Sequence, residues 1–134
     1  LPFHYLAIGI QEISNTKALF DYADSKGVEI IHAKDIYAER LGEILDQVIA
    51  FGKKVDQVYL TIDLDVFAAA YAPGVSALAF HGIVPDHNFQ LIFDTILQLP
   101  NLRSIDVAEL NPHFDIDNRT TKLGADLLFK VLQK

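Results

Sequence analysis

Residues Gln57–Leu64, QVYLTIDL, decide the fold. The run is almost wholly apolar until its acids, and its residues suit a pleated backbone, which is what a strand covered on both faces requires. Strands covered on both faces belong to parallel sheets with helices packed against them. Immediately afterwards the pattern stops. Asp65 to Pro85 is rich in Ala, Gly and Pro and shows neither helical nor strand periodicity. Connections of this length inside compact domains are uncommon unless they carry function, so the segment reads as a wall of a site.

Upstream of this strand, Phe3 to Ile10 (FHYLAIGI) reads as a first strand. Ser14 is placed to cap a helix through about Lys26, with Leu19, Tyr22 and Ala23 inward and Gly27 as the stop. Val28 to His32 reads as a second, short strand. Asp35 to Gly52 carries Tyr37, Leu41, Ile44, Leu45, Val48 and Ile49 at helical spacing. Downstream, Asp86 to Leu99 sets Phe89, Ile92, Phe93, Ile96 and Leu97 on one helical face, bounded by Pro85 and Pro100. Leu102 to Leu110 is a fourth strand and Asn111 to Arg119 a polar loop. The last helix is capped by Thr120 or Thr121 and packs through Leu123, Leu127, Leu128, Val131 and Leu132. A βαβαβαβα order with right-handed crossovers predicts an α/β protein, a three-layer α/β/α sandwich around a mainly parallel sheet. Functional loops should then follow Ile10, His32, Leu64 and Leu110.

A chain of 134 residues, 51% hydrophobic and 22% charged, has the material for one compact unit with a core. Cysteine is absent, which excludes thiolate metal sites and leaves carboxylate and imidazole as ligands for any metal. A net charge of −7, a pI near 5.0 and scattered basic residues argue against nucleic acid as a partner. No apolar run is long enough for a bilayer and no leader pattern is visible, so the expectation is a soluble, cytoplasmic protein acting on a small molecule.

Asp63 and Asp65 stand two apart at a strand end, where alternation sends both side chains to the same side. Two carboxylates that close repel, and burial makes them costly without a cation. No Lys or Arg lies between Val55 and Asn101, which makes a hard divalent ion an attractive partner. The competing reading has both acids holding the following loop through hydrogen bonds. Glu109, in DVAELNP (Asp106 to Pro112), ends the next strand in a parallel arrangement, against the alternative that backbone groups or Arg103 satisfy it. Asp106 faces the other side of that strand from Glu109 and reads as structural. The histidines, His4, His32, His81, His87 and His113, show no paired metal spacing.

The run TIDLDVFAAAYAPGVSALAFHG, Thr61 to Gly82, resembles the ureohydrolase signature of the arginase, agmatinase and formimidoylglutamase family, matching it at Asp63, Asp65, Pro73, Gly74 and Gly82. Ala68 and Ala69 stand where arginases and agmatinases carry Asp-Pro, and with APGVSA (Ala72 to Ala77) they are closer to the formimidoylglutamase branch. The resemblance implies an arginase-like fold and a centre of two Mn2+ ions, bridged by Asp63, with Asp65 binding one of them. Such a pair lowers the pKa of water and stabilises developing charge. The resemblance further implies that Glu109 pairs with the planar cationic group of the substrate. GIQEISNT (Gly9 to Thr16) resembles the segment that meets the substrate's amino-acid end, through Ser14 and Asn15, although helix capping explains both residues equally well. Arg119 is a candidate for a substrate carboxylate, or a solvated loop arginine. The implied activity is hydrolysis of N-formimidoyl-L-glutamate to L-glutamate and formamide, in histidine breakdown. Arginase or agmatinase activity, or a catalytically silent assembly module that keeps Asp63 and Asp65 as loop anchors, are the alternatives.

The resemblance runs through the whole chain but covers only the C-terminal part of one ureohydrolase domain, here residues 1–134. The family's Gly-Gly-Asp-His and Asp-Ala-His-x-Asp motifs, which supply the remaining ligands, have no counterpart in the sequence. No methionine occurs either, so at least an initiator is expected to precede Leu1. The function is therefore expected of a longer parent whose N-terminal part completes the site. Alone, the sheet should lack neighbours on one side, an exposed edge that invites a homo-oligomer or requires the missing part.

Overall fold

The computed structural model describes residues 3–133. Four strands and four α-helices alternate: β1 (Leu6–Ile10), α1 (Lys17–Ser25), β2 (Glu29–His32), α2 (Leu41–Lys53), β3 (Val58–Asp63), α3 (His87–Leu97), β4 (Leu102–Ala108) and α4 (Arg119–Leu132). β1 pairs in parallel with β2, and β3 in parallel with β4. Among the described residues these are two separate two-stranded sheets. Each sheet therefore has strand edges without a strand partner among the described residues.

Element boundaries follow local chemistry more than periodicity. α1 is capped by Thr16, whose Oγ1 accepts from the Leu19 amide at 3.4 Å, while Ser14 sits in a single 3-10 turn, Glu12–Ser14. The capping role read for Ser14 is thus Thr16's. Leu19 and Tyr22 are 56% and 63% exposed, so the α1 face read as inward is largely open in this chain. Gly27 stops the helix with φ +69°, a conformation that costs other residues more. α2 starts at Leu41, six residues later than its apolar spacing suggests, because residues 33–40 form two 3-10 turns instead. β1 begins at Leu6 and not Phe3. On α4, Leu127 is buried, whereas Leu128 and Leu132, read as packing residues, are exposed.

The Asp65 to Pro85 connection is packed like core. Phe67 and Ala72 are fully buried and Val75 nearly so, against Ile62, Leu64, Phe93 and Leu127. Its backbone is folded back and pinned by Ile83 N–H to Val66 O (2.8 Å), Ala68 N–H to Ile83 O (2.9 Å) and Ala69 N–H to Ala79 O (2.8 Å). That crossing leaves no room for a side chain at Gly82, where a Cβ would lie 2.6 Å from backbone atoms of Val66, Phe67 and Ala68. Backbone cannot swing aside as a flexible side chain can. Gly82→Ala in the full-length protein should therefore cost about 3 kcal/mol, as core overpacking does. Gly42→Ala, with nothing within 4 Å in α2, should be neutral or stabilise by up to about 1 kcal/mol. Equal urea midpoints for the two variants would contradict this account of the loop.

Candidate active site

The acids gather where the β3 and β4 strands end. Asp63 is the last residue of β3 and pairs with Ala108, the last residue of β4, so Glu109 follows immediately after that strand. Asp65 is not on the strand: β3 gives way at once to a 3-10 turn, Leu64–Val66, which buries Leu64 in the core. The turn, rather than strand alternation, sets where the two aspartates stand. Glu109 has φ +67°, a left-handed backbone that costs a non-glycine residue about 1–3 kcal/mol and tends to persist at functional sites.

Burial pushes the Asp65 carboxyl above its usual range, and the charges of Glu109 and Asp63 push it further. The three acids therefore share one electrostatic neighbourhood. Among the described residues none of them forms an ion pair. Arg103 is engaged elsewhere, donating to the carbonyls of Pro100 (3.0 Å) and Leu102 (3.4 Å). No set of three His, Cys, Asp or Glu among the described residues is gathered closely enough to hold a metal ion.

Beneath Asp63 runs a polar chain that sequence reading did not single out. Thr61 Oγ1 lies 3.0 Å from Asp63 Oδ1 and 2.8 Å from Asp106 Oδ1, and the Tyr59 hydroxyl donates to Asp106. The bond from Tyr59, and then that from Thr61, hold the Asp106 carboxyl below its usual range. A threonine hydroxyl carries one proton, so it donates to one of the two aspartates at a time. Direct pairing of Thr61 with Asp106 across the ladder creates this arrangement, and pairing is what a single sequence does not display.

A cavity of about 410 Å³ opens beside these acids. Ser14 and Asn15, which follow β1, line it together with Asp63 and Asp65 at the end of β3. Asn15 uses its amide to close its own turn, donating to Gln11 O at 2.9 Å. Gln11 also lines the cavity, and its Oε1 is buried without a partner among the described residues, as is His32 Nδ1. Gln11 lay in the GIQEISNT segment but carried no mark of its own. Glu109 and Arg119 are not in the cavity lining. Arg119 is the exposed first residue of α4, without an ion pair among the described residues.

Gly74 ties the loop to the far side of the site. Its amide donates to the fully buried Thr120 Oγ1 at 2.7 Å, and its carbonyl accepts from the Asn111 amide at 2.7 Å. A Cβ on Gly74 would meet Asp115 at 2.6 Å. Asp115, not Thr120 or Thr121, is the acceptor at the head of α4, taking both of their amides at 3.0 Å and the Thr121 hydroxyl at 2.8 Å. Desolvation raises the Asp115 carboxyl, but the bonds from Thr121 and Thr120 outweigh it and hold the group well below the carboxylate range. A depressed folded pKa means stability that is fully present above the unfolded value near 4 and is lost as pH falls through the folded one. Asp115→Ala should cost about 1–2 kcal/mol at pH 7, like other lost caps. The gap from wild type should narrow below about pH 4. A pH-independent difference in denaturation midpoint would sink this assignment.

The model of the arginase family matches residues 1–133. A formimidoylglutamase of Hahella chejuensis is 48% identical over 132 residues, 97% of this chain and 40% of its own length. One from Staphylococcus carnosus is 46% identical over 128 residues, covering 96% of this chain and 41% of its own. Among solved structures, formimidoylglutamase from Bacillus subtilis superposes with a TM-score of 0.86 at 28% identity, over 96% of this chain and 40% of its own. Arginase from Bacillus caldovelox gives 0.82 at 22% identity, over 96% and 42%. The chain thus spans about 40% of the length of the curated relatives it matches.

Proposed function

The chain belongs to the arginase family and holds part of its α/β/α fold, and on that premise we propose that the full-length protein hydrolyses N-formimidoyl-L-glutamate to L-glutamate and formamide. The observation that carries the reading is that Asp63, Asp65 and Glu109, none of them in an ion pair among the described residues, stand together where the adjacent strands β3 and β4 end. Relatives named formimidoylglutamase at 40–48% identity support this substrate over arginine or agmatine. Residues 1–134 are then the C-terminal part of one ureohydrolase domain. No helix among the described residues is long and apolar enough to cross a membrane. The proposed substrate would make the protein an enzyme of histidine breakdown, and its compartment the cytoplasm.

The donor chemistry fits manganese: hard carboxylate oxygens with uncompensated charge, half-buried at Asp65. Asp63 would be the ligand shared by two Mn2+ ions and Asp65 would hold one of them, with the other ligands supplied by the part of the protein beyond these residues. The ions, when bound, lower the pKa of water and stabilise charge at the attacked centre.

This chain's own residues do the rest. Glu109 pairs with the amidinium and fixes its plane, so that water oxygen meets the formimidoyl carbon from one face of that plane. The carbon–oxygen bond forms, the bond to the glutamate nitrogen breaks, and that nitrogen takes up a proton as it departs. Ser14 and Asn15 face the glutamate end of the substrate from the cavity wall, and Arg119 meets a substrate carboxylate from the head of α4.

Asp63→Asn in the full-length protein should lower manganese content and activity together. Wild-type content in the purified variant, measured by metal analysis, would refute bridging. Glu109→Gln keeps the shape and removes the charge. It should reduce kcat/KM by on the order of a hundredfold or more while manganese content stays near normal, as for a lost transition-state contact. Unchanged kinetics would return Glu109 to a purely structural role.

A further inference from the structure

Glu109 holds a left-handed backbone, with φ +67°, and strain of that kind persists only where the surroundings over-determine it. On its amino side the ladder does so, since Ala108 is paired with Asp63. On its carboxyl side stands Asn111, whose polar groups are all engaged. The Asn111 amide donates to the Gly74 carbonyl at 2.7 Å, and its carbonyl accepts from the Phe114 amide at 3.1 Å. In the side chain, Oδ1 accepts from the His113 amide at 3.2 Å while Nδ2 donates to Ser76 Oγ at 3.0 Å. A backbone N–H can only donate, so the His113 bond fixes which end of the side-chain amide is oxygen and turns the NH2 end to Ser76. Pro112 locks its own φ and disfavours helical backbone at Asn111.

The bonds to His113 and Phe114 hold the turn to itself, and those to Gly74 and Ser76 cross to the loop that carries Asp65. A single crossing bond, at Gly74, would leave the Glu109 turn free to pivot about it. The second, at Ser76, removes the pivot. The anchor on the loop side is firm: Val75, between the bonded residues, is buried, and the Gly74 amide is held by the buried Thr120 Oγ1 at 2.7 Å. The Asn111–Ser76 bond itself is exposed, where water competes for both partners and a neutral pair adds little to folding. It governs where the turn sits more than whether the chain folds.

We infer that Asn111, bonded to Ser76, is a positioning residue that holds the strained turn at Glu109 in register with the Asp65 loop. The inference rests on the reading of Glu109 as the group that pairs with the planar cation of the substrate. Such a pair needs both partners in one plane, and a displacement of about 1 Å at a reacting group can cost on the order of a hundredfold in rate. Asn111 makes no hydrogen bond to Asp63, Asp65 or Glu109 among the described residues, so its effect passes through the backbone of the turn.

The test is a kinetic cycle in the full-length protein, with N-formimidoyl-L-glutamate as substrate. Asn111→Ala should lower kcat/KM by on the order of ten- to a hundredfold while manganese content stays near normal. In the Glu109→Gln background the same substitution should cost less than about twofold more, because residues that act through one another are not additive. Ser76 is exposed, so its variants serve where Asn111→Ala fails to fold. Ser76→Ala should show the same pattern at smaller size, and Ser76→Thr, which keeps the hydroxyl, should restore wild-type kinetics. Equal losses in the two backgrounds, or manganese content falling in step with activity, would make Asn111 a general fold residue and overturn the inference. Wild-type kinetics for both Asn111→Ala and Ser76→Ala would overturn it too. Unchanged kinetics for Glu109→Gln alone is a separate failure, which removes the reading of Glu109 and the inference with it.

Discussion

Thr61 stands opposite Asp106, and Asp63 opposite Ala108, across the parallel ladder of β3 and β4. Everything chemical in the chain depends on that register. It carries Glu109 to the end where Asp63 and Asp65 lie, and it sets Tyr59, Thr61, Asp106 and Asp63 in one connected polar row. A slip of one residue would send Ile62 to the polar face and Asp63 into the core. Burial of Ile62 and Leu64, with Val58, is what forbids the slip, so hydrophobic packing on one face holds the carboxylates in place on the other.

The loop between β3 and α3 works under a related constraint. It has little regular secondary structure, yet it buries Phe67, Ala72 and Val75 and is fastened at three places: to itself at Gly82, to α4 through Gly74 and Thr120, and to the residues after β4 through Asn111. Small residues recur there because backbone passes backbone, or meets Asp115, at contact distance. The signature glycines thus have a packing explanation independent of chemistry. The loop keeps the Asp65 turn and the Glu109 turn in a fixed relation by bonding to both sides of the site.

Much of this was legible in residue order. Alternating apolar runs locate all four strands and all four helices, since periodicity reflects which faces are buried. What failed were ends and partners. Ser14, Thr16, Thr120 and Asp115 are all competent cap residues, and composition cannot tell which one the backbone brings to a helix start. The stretch around Tyr37 kept a helical spacing while folding as two 3-10 turns, Ala33–Asp35 and Ala38–Arg40, with Tyr37 extended before the second. Asp63, Asp65 and Glu109 stood out because acids at the ends of apolar strands are costly. Gln11 and Thr61 did not, because a lone neutral polar residue acquires meaning only from its neighbours in space.

Asp63 and Asp65 line one cavity, and burial pushes the Asp65 carboxyl above its usual range. Repulsion between like charges opposes excluding more water from that end of β3. A cation held by the two aspartates would offset it, and would bind more firmly as water is excluded, because charge interactions strengthen as the local dielectric falls. Binding of the cation and desolvation of the site then favour each other, and the coupling is reciprocal by thermodynamic necessity. The register of β3 on β4 sets the carboxylates in place for both.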